Sequence, residues 1–392
     1  MSDQAGLLRR HMVNDLIVRR LLPDDRWKRA FLEVPRHVFL PRFFIPGTDA
    51  DWRAVDSTDP DWLELVYSDR VLVTQLDDDP DSWPAARTLG FGTGVATSSS
   101  SMPAIMSIML HALLAEPGHR VLEIGAGTGY NAGLLCHFLG TAAVTSVDID
   151  PTIVEQAHGA LAHCGFHPTV TAADGAAGYP ANAPYDRLLA TCAVSRIPDS
   201  WLDQVTPGGQ IVTTLHRPIG AGLVRLTVGS GYAEGRVLAE DGRFMPLRAH
   251  RAPALRELLI EAEQTPKTTR HTTLTGTAVT SAYSDFEFFA GLMLPEAQAV
   301  TVTPDGGTTE HWLVDTDGSW ARHTTRAGDH WVDQGGPRQL WNLAELAHDR
   351  WHELGRPGRD RFGLTVRKDT QYFWLDSPDS AHTWPFPPIR EQ

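Results

Sequence analysis

Cysteine is scarce in this chain: three in 392 residues, Cys136, Cys164 and Cys192, odd in number and without a CxxC pair. That spacing argues against a disulfide framework or a zinc ribbon and fits a reducing compartment. No uninterrupted run of about 18 apolar residues occurs, so a membrane-spanning helix is not expected. The start, Met1-Ser2-Asp3-Gln4 leading to Arg9, Arg10 and His11, lacks an apolar secretory segment. Cations are also in deficit, with 34 Lys and Arg against 48 Asp and Glu, a net charge of −14 with His neutral. Phosphate binding depends on Lys and Arg, so neither nucleic acid nor an anionic membrane is an expected partner. A cytoplasmic location is the expectation.

What is present is ordinary globular material, 42% hydrophobic and 21% charged residues. The length suggests two to three domains at roughly 150 residues each. Residues 7–22 carry apolar positions at helical spacing up to Pro23, and a second helix is predicted over 24–32. Residues 46–62, rich in Asp and Trp without a period, read as a loop, and 77–81 (Asp-Asp-Asp-Pro-Asp) as a solvated acidic turn. From residue 102 helices alternate with apolar strands. Helices are expected at 102–114, from the turn after 125 to Leu139, and at 152–163. Strands are expected at 120–125, 143–148, 169–173, 187–193 and 210–215. That alternation indicates right-handed βαβ units and a mainly parallel sheet. Strand-like runs at 223–228 and 236–239 suggest an antiparallel hairpin closing the sheet edge.

Residues 265–280 hold eight threonines in sixteen positions and read as a linker or exposed strand. Beyond them, seven of the twelve tryptophans lie between Trp312 and Trp384, with strands near 312–314 and 372–375 and a helix near 337–354. The expected organisation is an N-terminal helical segment with substrate-side loops (1–80), an α/β core (81–250) and a Trp-rich α+β domain (251–392).

The chemistry concentrates in Val121-Leu-Glu123-Ile-Gly125-Ala-Gly127-Thr-Gly129-Tyr130-Asn131. A strand feeds a glycine turn that opens a helix, and glycines there let a ligand approach the backbone closely. A nicotinamide dinucleotide site wants GxGxxG, whereas this turn is GxGxG, one residue shorter. Glu123 fits badly beside a pyrophosphate and suits a cofactor with positive charge and amine donors, such as S-adenosyl-L-methionine. Asp148 ends the second strand, where an acid accepts hydrogen bonds from ribose hydroxyls. Asp174-Gly175 ends the third, where a carboxylate or the nearby backbone can receive an adenine amino group. Asp150, before Pro151, reads as a helix N-cap. The expected cofactor-binding set is Glu123, Gly125, Gly127, Gly129, Tyr130, Asn131, Asp148, Ile149, Asp174 and Gly175. No metal site is expected: His348-Asp-Arg-Trp-His352 superficially resembles HExxH, but Asp is too short for the catalytic Glu and no third ligand is evident. Cys192, at the end of the fourth strand, reads as a small buried residue.

With these residues in order the chain resembles class I S-adenosylmethionine-dependent methyltransferases, and specifically protein-L-isoaspartate O-methyltransferases. The resemblance runs through about residues 65–215: Tyr67-x-Asp69, Thr97-Ser-Ser99, the helix from Met102, the glycine turn, Asp148, Asp174-Gly175 with Gly178-Tyr179, Pro184-Tyr185-Asp186 and Pro207-Gly208-Gly209. It implies a Rossmann-like α/β sheet, with Ser99 as the active-site serine and Thr97 its companion. The repair enzymes of that family follow Thr-x-Ser with a small residue and Pro-His, whereas Ser100-Ser101-Met102-Pro103 follows here. They also lack a long tail after the sheet. The whole pattern, including Val66 to Leu76, Tyr185 to Cys192 and Phe362-Gly-Leu-Thr-Val366, is closer to isoaspartyl-methyltransferase homologues that accompany ATP-grasp peptide maturases. By that resemblance the partner is a ribosomally made peptide, crosslinked by an ATP-grasp ligase (a graspetide). Methylation of its Asp side chain would lead to aspartimide or isoaspartate. Repair of isoaspartate is the alternative. A non-catalytic peptide-binding module with the cofactor fold is a further one, against which Glu123, Asp148, Asp174 and Ser99 together argue.

An ionised aspartate, with a pKa near 4, is already a nucleophile at neutral pH and needs no general base. The enzyme's task would then be alignment and removal of water, with a hydroxyl such as Ser99 orienting the acceptor.

Overall fold

The computed structural model describes residues 2–47, 51–248, 255–263, 266–281, 284–304 and 307–387. The chain divides into two compact units, one of residues 1–192, 198–213 and 227–231, the other of 193–197, 214–226 and 232–392. The expected boundary between residues 250 and 251 lies outside the described residues, as do 48–50 of the expected loop and Thr265.

The first unit opens with α1 (Ser2–Val18) and α2 (Asp25–Glu33). Asp24 caps α2 by accepting the Arg26 N–H, and Trp27 of that helix stacks on Phe138 at 4.1 Å. Strands β1 (Arg42–Pro46) and β2 (Trp52–Asp56) follow, then α3 (Trp62–Val66), β3 (Leu72–Leu76), α4 (Ser82–Leu89) and β4 (Ala96–Ser100). The four strands form an antiparallel sheet in the order β2-β1-β3-β4. β1, β2 and β3 stand where a helical segment with loops was expected, and β2 falls within the expected loop at 46–62. Phe44, Ala54, Val73, Leu76 and Ala86 pack on one another beneath it, with Trp52 and Trp83 alongside.

The alternating region forms as the periodicity predicts. Its elements are α5 (Pro103–Ala112), β5 (Val121–Ile124), α6 (Tyr130–Leu139), β6 (Val144–Asp148), α7 (Pro151–His163), β7 (Thr169–Ala172), β8 (Tyr185–Val194), α8 (Asp199–Gln204) and β9 (Val205–Leu215). β8, β5, β6 and β7 pair in parallel in that order, with β9 beyond β8. Gly140, at φ +89° and ψ 148°, ends α6 in a backbone conformation that favours glycine. Every side chain of β5 is buried, as expected of a central parallel strand covered on both faces.

The second unit contains β10 (Gly222–Val228) as far as Leu226, β11 (Tyr232–Val237), α9 (Leu255–Glu263), β12 (Lys267–His271), α10 (Gly276–Thr280), α11 (Glu287–Met293), β13 (Gln298–Val302), β14 (Glu310–Val314), β15 (Trp320–Arg326), β16 (Asp329–Gly335), α12 (Leu340–Glu353), β17 (Phe362–Arg367), β18 (Thr370–Leu375) and β19 (Thr383–Pro385). The β10–β11 hairpin does not close an edge, because β17 pairs with β11 and carries β18 and β19 beyond it. A separate sheet runs β12-β16-β15-β14-β13, so the threonine-rich segment supplies its edge strand and a short helix. Of the seven tryptophans, Trp312, Trp320, Trp341, Trp351 and Trp374 are buried. They act chiefly as core: Trp341 stacks on His323 and its indole N–H donates to Thr272. His348 packs against Phe286 and Trp351, and His352 accepts from Arg356, so this pair sits in ordinary helix packing.

Candidate active site

β5 delivers the chain into a turn where Gly125, Gly127 and Gly129 have φ of +93°, +50° and +82°, a region that penalises any side chain. The turn is tied to the next strand, since the Gly125 and Ala126 N–H groups both donate to the Val147 carbonyl. A Cβ on Gly129 would lie 3.1 Å from that of Ala157, so this glycine lets α6 and α7 approach. A Cβ on Gly127 would meet the Ser99 carbonyl at 3.5 Å, which sets the turn directly beside β4.

The acids divide into two groups. Glu123 is fully buried, with its oxygens accepting from Asn131 at 2.6 Å and from the Ser146 hydroxyl. Burial pushes its carboxyl up to about 7. Tyr130 is likewise in the core, with Phe31 and Phe39 around its ring. The side chains of Glu123, Tyr130 and Asn131 are therefore buried rather than exposed along the turn. What the turn exposes is chiefly backbone, and Glu123 ties the start of α6 to β6 through Asn131 and Ser146.

Asp148 stands differently. It is half-buried at the end of β6, its oxygens accepting from the Gly127 N–H at 3.0 Å and the Asp150 N–H at 3.2 Å. Burial raises its pKa. Ile149 follows with its side chain 44% exposed. The Ala173 N–H donates to the Asp148 carbonyl, bringing exposed Asp174 to the same sheet edge. Asp174 caps the short turn Gly175–Ala177 through the Ala176 N–H. Asp150 caps α7 as expected, through Thr152 and Ile153. A turn bare of Cβ atoms, a carboxylate next to it, an exposed apolar side chain and a second carboxylate along one edge fit a nucleoside cofactor with an amine and a ribose. This edge lies at the carboxyl ends of the parallel strands, where open α/β sheets bind ligands.

β4 carries the expected Thr97 and Ser99. The Thr97 hydroxyl donates to Gln75 at 3.1 Å and accepts from the Asp78 N–H at 2.9 Å, so it braces the wall. Thr74 donates to Ser98 on the neighbouring strand position. Ser99, half-buried and beside the glycine turn, has a hydroxyl with no hydrogen-bond partner among the described residues.

Three residues escaped the sequence reading. Gln75 donates to Asp150 at 3.0 Å and so links β3 to the start of α7. Arg36, fully buried, donates to the carbonyls of Val66, Ser68, Arg70 and Ser101, fastening the chain on both sides of the Thr97–Ser99 strand. His37 bonds the Tyr67 hydroxyl at 2.8 Å, while Asp69 accepts the Ala104 N–H at the start of α5. Tyr67-x-Asp69 is thus a brace; only for Arg36 and His37 was there no periodicity or spacing to find them.

The fold and this edge define a class I S-adenosylmethionine-dependent methyltransferase. A solved protein-L-isoaspartate O-methyltransferase superposes with a TM-score of 0.53 and 21% identity, covering 94% of this chain and all of that one. The family model for protein-L-isoaspartate(D-aspartate) O-methyltransferase matches residues 85–247. The protein-L-isoaspartate O-methyltransferase of Methanoregula boonei is 32% identical over 245 residues, 61% of this chain and 92% of its own length. That of Thermotoga maritima is 29% identical over 202 residues, 51% of this chain and 53% of its own, so only about half of that relative is spanned. The chain belongs to the protein-L-isoaspartate O-methyltransferase family, whose members are S-adenosylmethionine-dependent carboxyl methyltransferases. The tail expected to set this chain apart has a counterpart in fold, since the solved relative covers almost the whole chain.

Proposed function

We propose that this chain methylates the side-chain carboxylate of an aspartate in a ribosomally made peptide already crosslinked by an ATP-grasp ligase, in the cytoplasm. The observation that carries the chemical part is Ser99, whose carbonyl lies beside the glycine turn and whose hydroxyl has no hydrogen-bond partner, and so no base, among the described residues. An amine or alcohol acceptor would need a group to take its proton. An ionised carboxylate does not.

S-adenosylmethionine, when bound, supplies an electrophilic methyl on a sulfonium. In this reading Asp148 accepts the ribose hydroxyls, Asp174 and the backbone at Gly175 receive the adenine amino group, and Ile149 covers the ring. Ser99 would donate to one acceptor oxygen, leaving the other free to take the methyl that the bound sulfonium would supply. The carboxylate's charge and the sulfonium's are both neutralised, so exclusion of water favours the step. The ester formed can then be attacked by the next backbone nitrogen, expelling methanol and closing a five-membered aspartimide. Water opens that ring to aspartate or isoaspartate.

The crosslinked acceptor is supported by the residues that resemble the peptide-maturation homologues and by Ser100-Ser101-Met102-Pro103, where the repair enzymes have a small residue and Pro-His. The second reading, repair of isoaspartate, is favoured by the names of the relatives. Offering the enzyme a crosslinked precursor, its linear form and a short isoaspartyl peptide separates them. The proposal expects the crosslinked precursor to be methylated fastest; faster methylation of the isoaspartyl peptide gives the repair reading instead.

A further inference from the structure

A groove of about 660 Å³ in the first unit lies between the β1–β4 layer and α7. It adjoins the cofactor edge at Gly127 and Thr128 of the glycine turn, while none of Asp148, Ile149 and Asp174 lines it. Its volume is in the range of small-molecule pockets, roughly 300–1,000 Å³.

Three features of its wall point to one chemistry. The first is aromatic: half-buried Trp83 lines the groove together with the buried Phe39 and Trp62. Both indole N–H groups are taken by backbone carbonyls, Trp62 by Leu40 and Trp83 by Phe43, which fixes the rings in place. The second is charge. Arg42 lies over Trp83 at 5.3 Å, and among the described residues no carboxylate pairs with it. Asp79 is the sole acid among the groove's described lining residues and already accepts the Asp81 N–H.

The third is Gly159. A glycine inside a helix costs roughly 0.5–1 kcal/mol against alanine. Gly133 in α6 has a packing reason, because a Cβ there would meet Phe39 at 3.1 Å and Val34 at 3.3 Å. Gly159 has none: nothing lies within 4 Å of where its Cβ would be, and it faces the groove. Its missing side chain keeps the floor open for something the protein itself does not supply.

We propose that this groove binds an aromatic carboxylate, a flat ring carrying an anionic group. The ring would lie among Phe39, Trp62 and Trp83 over the bare α7 backbone at Gly159, and the anion would pair with Arg42. The ligand can be a free small molecule or an aromatic residue of the acceptor peptide next to an acidic one.

Calorimetric titration with N-acetyl-L-tryptophan and with uncharged N-acetyl-L-tryptophanamide tests this without any turnover. The acid is expected to bind at least tenfold more tightly than the amide. Gly159→Leu, a substitution compatible with an exposed helical site, should weaken the acid at least tenfold by filling the floor. Arg42→Gln should abolish the preference for the acid. Both variants should keep the wild-type affinity for S-adenosylhomocysteine and the wild-type circular dichroism. Failure of N-acetyl-L-tryptophan to bind, equal binding of acid and amide, or undiminished binding to Gly159→Leu overturns the proposal. Once binding is seen, steady-state methylation of the peptide identifies its source. A raised KM at constant kcat in Gly159→Leu assigns the groove to the acceptor, and unchanged constants assign it to a free ligand.

Discussion

The amide of Gln75 donates to the carboxylate of Asp150 at 3.0 Å, joining β3 to the residue that caps α7. Thr97 donates to the carbonyl oxygen of the same Gln75, so one side chain holds both the strand carrying Ser99 and the helix behind the glycine turn. Gln75→Ala removes both bonds from a buried position. Urea unfolding should show a loss of about 1–3 kcal/mol, the usual cost of stranding buried polar partners.

Thr97 and Ser99 lie two residues apart but should respond differently to substitution. Thr97→Val strands Gln75 and the Asp78 N–H, and should cost about 1–3 kcal/mol of stability. Ser99→Ala breaks no internal hydrogen bond, so stability should stay within about 0.5 kcal/mol. Its single-turnover methylation rate should fall roughly ten- to hundredfold, the value of one charge-assisted hydrogen bond, with S-adenosylhomocysteine affinity preserved. An unchanged rate would leave Ser99 a structural residue.

For the cofactor edge, Asp148→Ala and Asp174→Ala should each weaken S-adenosylhomocysteine by roughly ten- to hundredfold in calorimetric titration. Asp148→Ala also releases the Gly127 N–H and should be the more damaging of the two. Unchanged affinity in either variant would remove that residue from the site.

The βαβ region was legible because Val121–Ile124, Val144–Asp148 and their helices carry the periodicities that parallel sheets impose. The small antiparallel sheet was not. Trp52–Asp56 is only five residues with no clean alternation, and Ala96–Ser100 is small and polar, so both strands exist through pairing with distant partners. At the site, Asp148 could be read from its strand end. Glu123 and Tyr130 could not be placed, because a motif fixes sequence neighbours without saying which side chains turn inward. The inward turn follows from burial by Phe31 and Phe39 and from the bonds to Asn131 and Ser146.

Glu123 gives a pH test of that inward placement. Its folded pKa of about 7 is above the ordinary value of 4.5, so the native state binds more protons than the unfolded state between those values. Its contribution should therefore favour the fold at low pH and be lost as pH rises from about 4.5 to 7. Glu123→Gln should remove that slope from the pH dependence of unfolding. An identical slope in the variant would contradict the assignment.

His323 in the second unit works in the opposite direction. It is buried against Trp341, and burial together with His311 and His330 lowers its pKa to about 4. The unfolded state binds the extra proton, so stability is full above about 6.5 and is lost as pH falls towards 4. At about 1.4 kcal/mol per pH unit the loss is at most about 3.5 kcal/mol. His323→Leu should flatten this acid limb in chemical denaturation at pH 4 to 7, whereas an unaltered limb would place the proton elsewhere.

The central claim, transfer of a methyl group to a carboxylate, is tested most directly with methyl-labelled S-adenosylmethionine and the crosslinked peptide, followed by mass spectrometry. The account predicts one labelled methyl on an aspartate, released as labelled methanol by mild base as the aspartimide forms. A base-stable methyl on nitrogen, or no transfer to any peptide acceptor, would contradict it.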